Sequence, residues 1–263
     1  MDLSLAPRNA SFRGRTSEDM TSLALRHLDE LRAGDKPFFL WIHYFDPHGE
    51  YLSHEGTPFS GDDARSRYLQ EVWSTDAALG RLYDHLEATG YFDSGALALV
   101  GDHGELLGEQ GLYGHAVGIE ELALRTLALV RGPGVPAGEH ATRVRVFDLF
   151  PTLLDLCAGV RVDVDAAHLG PVWSGQERAD RRVVARTTYA GGQFKRVVLE
   201  GSMRLVQDVV LGTLSLHDLA RDPSQLHDLV EAEPARRDAL LHSMGVTFDQ
   251  AMNDQVLSAR ARR

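Results

Sequence analysis

Leu97-Ala98-Leu99-Val100-Gly101-Asp102-His103-Gly104-Glu105 is the stretch on which the reading of this chain turns. Four apolar residues lead straight into a carboxylate–imidazole pair held between two glycines. A strand covered by helices on both faces carries a continuous apolar run, so the pattern predicts a buried strand over 97–100. Open α/β sheets place their ligands where such strands end. Asp102 and His103 are adjacent hard and borderline donors, suited to one divalent cation. Gly101 and Gly104 permit the tight backbone that would aim both side chains into one cavity. The same residues are also ordinary turn chemistry after a strand, and the two readings stand side by side on this stretch alone.

Working outward, helix and strand patterns alternate. Residues 16–31 read as a helix capped by Ser17, with Glu18 and Asp19 in its first turn. The apolar run Phe38-Phe39-Leu40-Trp41-Ile42 predicts a second buried strand, ending in the turn His43-Tyr44-Phe45-Asp46-Pro47-His48. A helix follows over 63–89, where Tyr68, Val72, Leu79, Leu82, Tyr83 and Leu86 recur at helical spacing. Beyond Asp102 comes a glycine-rich loop over 104–118, a helical turn at 120–124 and a strand over 126–130. A helix capped by Asp148 then runs through Cys157, with Pro151 in its first turn and Gly159 as its stop. This alternation predicts an α/β sheet sandwiched by helices over residues 1–178. From 179 to 263 the texture changes. Short strands near 183–185, 196–199, 203–207 and 214–217, then a helix over 233–263, predict a small antiparallel α+β subdomain.

The chain has 263 residues, 43% of them hydrophobic and 25% charged, the proportions of a globular protein with a real core. A net charge of −11 argues against a nucleic-acid-binding face and leaves room for an anionic substrate held by a local field of opposite sign. The single cysteine, Cys157, excludes an intramolecular disulfide, and its apolar setting predicts a small buried hydrophobe. No run approaches the ~20 apolar residues of a membrane span, and residues 1–15 lack the apolar centre of a signal peptide.

Three imidazole-bearing turns carry the chemistry. Asp46-Pro47-His48 follows one predicted strand, Asp102-His103 follows another, and His115 lies in Gly111-Leu112-Tyr113-Gly114-His115. Two adjacent parallel strands would bring their carboxyl ends to one edge. The expectation is therefore a single sheet containing strands near 38–43, 96–101 and 126–131, with Asp46, His48, Asp102 and His103 on one rim. A carboxylate and an imidazole for an ion, with further imidazoles for the remaining oxygens, suit an oxyanion ester bound to a metal.

These segments resemble the sulfatase family of the alkaline phosphatase superfamily. The resemblance rests on Pro37 to His48, on Gly101-Asp102-His103-Gly104-Glu105 with Leu107 to Leu112, on Gly114-His115, on Glu120-Glu121 and on Arg131 to Gly134. Weaker matches are Asp148 to Leu156 and Leu216 to Pro223. It implies an alkaline-phosphatase-like sheet, incomplete at its N-terminal side, and a hydrolase of sulfate esters or of related phosphate or phosphonate esters. It implies that Asp102 and His103 are metal ligands, that His48 contacts the ester group and that His115 stands near the leaving-group oxygen as a general acid. Glu105, Glu109, Glu120 and Glu121 are expected to be solvated or to brace loops. The family resemblance points to calcium, whereas the softness of His103 points to manganese or zinc.

The family's Cys/Ser-x-Pro-x-Arg nucleophile motif and its N-terminal acidic pair of metal ligands are absent from this sequence; Ser4-Leu5-Ala6-Pro7-Arg8 carries its proline one position late. The expectation is thus the C-terminal portion of a sulfatase, inactive on its own, which self-associates or takes a missing N-terminal half as partner. A non-catalytic subunit that keeps the fold is the alternative, and a two-metal phosphohydrolase using Asp46 and His48 is a third. The sequence leaves the compartment open.

Overall fold

The computed structural model describes residues 16–34, 36–49, 51–115, 119–189 and 193–245. The chain divides into two compact units, Met1–Asp93 and Ser94–Arg263.

The first unit is built on two packed helices, α1 (Ser17–Arg32) and α2 (Ala64–Ala88). Thr16, rather than Ser17, caps α1: its hydroxyl accepts from the Asp19 amide at 3.2 Å. Ser17 is instead the first helical residue, and Asp46 Oδ2 accepts from both its amide (2.8 Å) and its hydroxyl (2.9 Å). A carboxylate there satisfies an otherwise orphaned helix donor and meets the positive end of the helix dipole. Thr21 Oγ1 donates to Ala78 O at 3.0 Å, joining the two helices. Polar side chains buried near the start of α2 pin the preceding loop. Glu71 accepts from the Leu52 amide, and Gln70 accepts from the His54 amide and donates to the carbonyls of Phe59 and Gly61.

The strand expected over 38–42 is not formed among the described residues. Leu40 and Ile42 lie beside Met20, Leu23 and Ala24 of α1, while Phe39 and Trp41 are 84% and 71% exposed. The run alternates in burial as a one-sided strand would, yet among the described residues no neighbouring strand takes up its backbone groups. Apolar composition predicts burial but does not supply a partner.

In the second unit β1 (Leu97–Val100) forms where it was expected, but it is half-buried rather than buried, with Val100 exposed. A short hairpin, β2 (Leu106–Leu107) and β3 (Tyr113–Gly114), follows inside the glycine-rich loop. Then come the turn α3 (Glu121–Leu124) and β4 (Ala128–Arg131). β4 pairs with β1 as expected, and the pairing is antiparallel, Leu97 opposite Arg131 and Val100 opposite Ala128. α4 (Leu149–Ala158) stops at Gly159, whose φ of 63° is the left-handed cap geometry. Asp148 precedes α4 without capping it; its fully buried carboxylate instead binds Arg145, Arg181 and the Ala167 amide. Cys157 is exposed, contrary to expectation, because α4 buries Leu149, Pro151 and Thr152 near its other end. A short helix, α5 (Gly170–Trp173), leads on to the C-terminal sheet.

That sheet is an antiparallel meander in chain order: β5 (Val183–Tyr189), β6 (Gln193–Glu200), β7 (Met203–Asp208) and β8 (Thr213–Asp218). Its two faces follow the two-residue period of a strand. Val198, Met203, Leu205 and Leu216 pack with Leu240 and Met244 of α6 (residues 234–245). Val197 and Leu199, on the opposite face, pack with Ile119. The protein thus has the expected α/β fold with a distinct C-terminal α+β region. The rest of the helix expected to reach residue 263 lies outside the described residues.

Candidate active site

The turn after β1 is held against backbone. A methyl group on Gly101 would strike Thr126 Oγ1, and one on Gly104 would strike the carbonyl oxygens of Leu122 and Arg125. Gly101 N donates to Leu127 O at 3.2 Å, and Gly104 N donates to Ala123 O at 2.9 Å. The glycines are therefore required by close approach, and the Asp102–His103 pair between them projects from a fixed backbone.

Asp102 Oδ1 accepts from the His103 amide at 2.9 Å, which orients the carboxylate. His103 Nδ1 lies 2.9 Å from Gly104 O. A carbonyl can only accept, so in the neutral ring Nδ1 carries the proton and Nε2 keeps its lone pair. Asp102 Oδ2 lies 3.6 Å from that Nε2. A carboxylate oxygen and an imidazole lone pair side by side, with the other ring nitrogen tied to a carbonyl, is the arrangement of a metal-ligating histidine and its neighbour. No group of three or more His, Cys, Asp or Glu side chains gathers for an ion among the described residues. The pair fits a divalent ion as two of its donors, and an ion of the calcium type takes 6–8 oxygens.

His115 joins this pair. Its ring stacks on His103 with centroids 3.8 Å apart and planes 26° apart. Its Nδ1 lies 3.1 Å from Glu105 Oε2. The β2–β3 register sets Leu106 opposite Gly114, so Glu105 and His115 flank the hairpin as neighbours. The Glu105 side chain is 7% exposed against 30% for His115. Glu105 is therefore not solvated, one of the two roles expected of it; it fills the other, bracing its loop by a contact across the hairpin, and the ten-residue separation across a short hairpin is the signal that could have named His115 as its partner. Glu109 does brace its loop, accepting from the Leu107 amide at 2.6 Å.

His48 belongs to the first unit. It is exposed, stacks on Phe45 with centroids 4.4 Å apart, and holds Gly49 O at 2.9 Å from Nδ1. The Asp46–Pro47 bond before it is cis. Asp46 gives one carboxylate oxygen to the start of α1, so it serves the helix, which weakens the two-metal reading built on it. The structure thus brings Asp102, His103 and His115 together in one unit, with Glu105 added to them.

The chain is similar to known proteins over most of its length. A choline-sulfatase of Rhizobium meliloti (strain 1021) is 29% identical over 198 residues, covering 71% of this chain and 38% of the relative. Arylsulfatase K of Xenopus laevis is 28% identical over 213 residues, covering 74% and 39%. The solved structure of Ps i-CgsB in complex with k-i-k-neocarrahexaose superposes with a TM-score of 0.73 at 20% identity, over 87% of this chain and 54% of that one; at that identity it shows the shared fold. The chain spans about two fifths of the length of the curated relatives it matches. The Sulfatase family model matches residues 4–160, a span that holds the Asp46–His48 turn, the Asp102–His103 turn and the His115 hairpin, and the chain belongs to the sulfatase family of the alkaline phosphatase superfamily.

Proposed function

We propose that this chain carries part of the active site of a hydrolase that cleaves sulfate esters, or closely related phosphate or phosphonate esters, of an anionic small molecule or glycan. The observation that supports it best is the Asp102–His103–His115 group, in which one imidazole offers a lone pair beside a carboxylate and a second imidazole stacks upon it. Asp102 and His103 would hold a divalent ion, calcium by family and manganese or zinc by ligand softness. Such an ion draws charge from the ester oxygens. His48 would contact the sulfuryl group. His115 would give its proton to the leaving oxygen as the ester bond breaks. Among the described residues no helix is long and apolar enough to cross a membrane.

The sequence contains no Cys/Ser-x-Pro-x-Arg, and covalent catalysis needs an activated nucleophile. In this reading the nucleophile comes from a segment that these 263 residues do not carry, and the chain alone is inactive. The same absence favours the alternative of a non-catalytic, sulfatase-fold subunit. The test joins the chain to a segment bearing the motif, matured to formylglycine, and compares aryl sulfates of graded leaving-group ability. His115→Ala is expected to slow poor leaving groups by roughly 10²-fold or more and good ones far less, because good ones need little protonation. An equal loss across the series would leave His115 a positioning residue.

A further inference from the structure

We propose that Glu105 is the positioning residue of His115, fixing which ring nitrogen can exchange a proton. The carboxylate straddles the ring edge, with Oε2 at 3.1 Å and Oε1 at 3.4 Å from Nδ1. A carboxylate only accepts, so Nδ1 donates to it. The contact sits in a 7% exposed carboxylate, where water competes poorly for the bond and a hydrogen bond is worth more than at the surface. Two further constraints hold the ring. The β2–β3 ladder fixes the backbone on both sides of the pair, and His103 covers one ring face at 3.8 Å. Edge, backbone and face together leave the imidazole little freedom to turn over and present Nδ1 elsewhere.

The consequence is a division of labour within the ring. In the general-acid role proposed above, the proton that Glu105 holds on Nδ1 leaves Nε2 as the nitrogen through which that role is filled. With the proton pinned to Nδ1, Nε2 is the nitrogen from which the transferred proton departs and to which the next returns. A third group orienting an acid–base imidazole is a recurring arrangement in catalysis. The kinetic part of this account rests on the general-acid role proposed above; the placement of the proton on Nδ1 does not.

The test reads the ring directly. The chain is labelled with ¹⁵N-histidine and long-range ¹H–¹⁵N correlations are recorded in mildly alkaline solution, with imidazoles neutral; His115→Gln assigns the signal. The native protein is expected to show His115 in the Nδ1–H form. Glu105→Ala is expected to remove the preference for Nδ1–H, the Nε2–H form gaining at its expense, while the other histidines keep their signals and so report the fold. Native His115 in the Nε2–H form, or His115 that stays Nδ1–H in a folded Glu105→Ala, overturns the proposal. Should Glu105→Ala not fold, the native tautomer decides by itself. Absence of sulfate-ester turnover by the protein joined to the nucleophile segment would count against the hydrolase and leave this measurement untouched.

Discussion

Asp148 shows how a single buried charge is made tolerable. Burial alone raises its carboxyl pKa, but the hydrogen bonds from Arg145, the Ala167 amide and Arg181 outweigh it and hold the group below its ordinary value. Arg181 in turn binds Glu177 and the carbonyls of Ala167 and His168, so every charge in the cluster has a partner. A carboxyl lowered on folding stabilises the native state above its unfolded pKa, and that stability is lost as pH falls through the folded value. Asp148→Asn leaves two arginines facing a neutral amide and is expected to cost about 3–5 kcal/mol at neutral pH. It should also flatten the acid limb of a stability–pH profile below about pH 4. Thermal melts across the acid range check both; an unchanged acid limb would show that Asp148 is not the group being titrated.

At the scale of elements, the C-terminal sheet and the site loop are tied by one strand position and one buried cation. Ile119, 2% exposed, packs on Val197 and Leu199 of β6. Arg204 of β7 donates to Ile119 O at 2.6 Å and to Gln225 Oε1 at 2.7 Å. Gln225 has a left-handed φ of 56°, a strained geometry for a side-chain-bearing residue that the Arg204 bond helps to hold. Ile119→Ala is expected to cost about 2–5 kcal/mol in denaturant unfolding, by lost transfer energy and the cavity left behind. A cost below 1 kcal/mol would mean that the loop collapses onto β6 without it. The strand around Val197-Val198-Leu199 was legible from the sequence as a short apolar run, but because all three residues are apolar and buried, which of them faced which side was not. Ile119 was not, since its partner lies about eighty residues away in the chain. The strand over 38–42 was misread for a related reason: Phe39 and Trp41 have the composition of a core, but no strand among the described residues pairs with them. Asp102, His103 and His115 were legible as residue types, whereas the Glu105 contact depended on a hairpin register that composition does not encode.

For the molecule as a whole, the sulfatase match and the site chemistry point the same way. The chain spans about two fifths of its curated relatives, and it offers a carboxylate, imidazoles and no nucleophile motif. The central claim is that these residues serve sulfate-ester cleavage once an activated nucleophile is supplied. The most direct measurement is aryl sulfate turnover in the presence of calcium or manganese, by the 263-residue protein and by the same protein joined to a matured Cys-x-Pro-x-Arg segment with its acidic pair. The account predicts no enzymatic turnover by the first, and metal-dependent turnover by the second that Asp102→Ala abolishes. Metal-dependent turnover by the 263 residues alone, or turnover in the joined protein that survives Asp102→Ala, would contradict it.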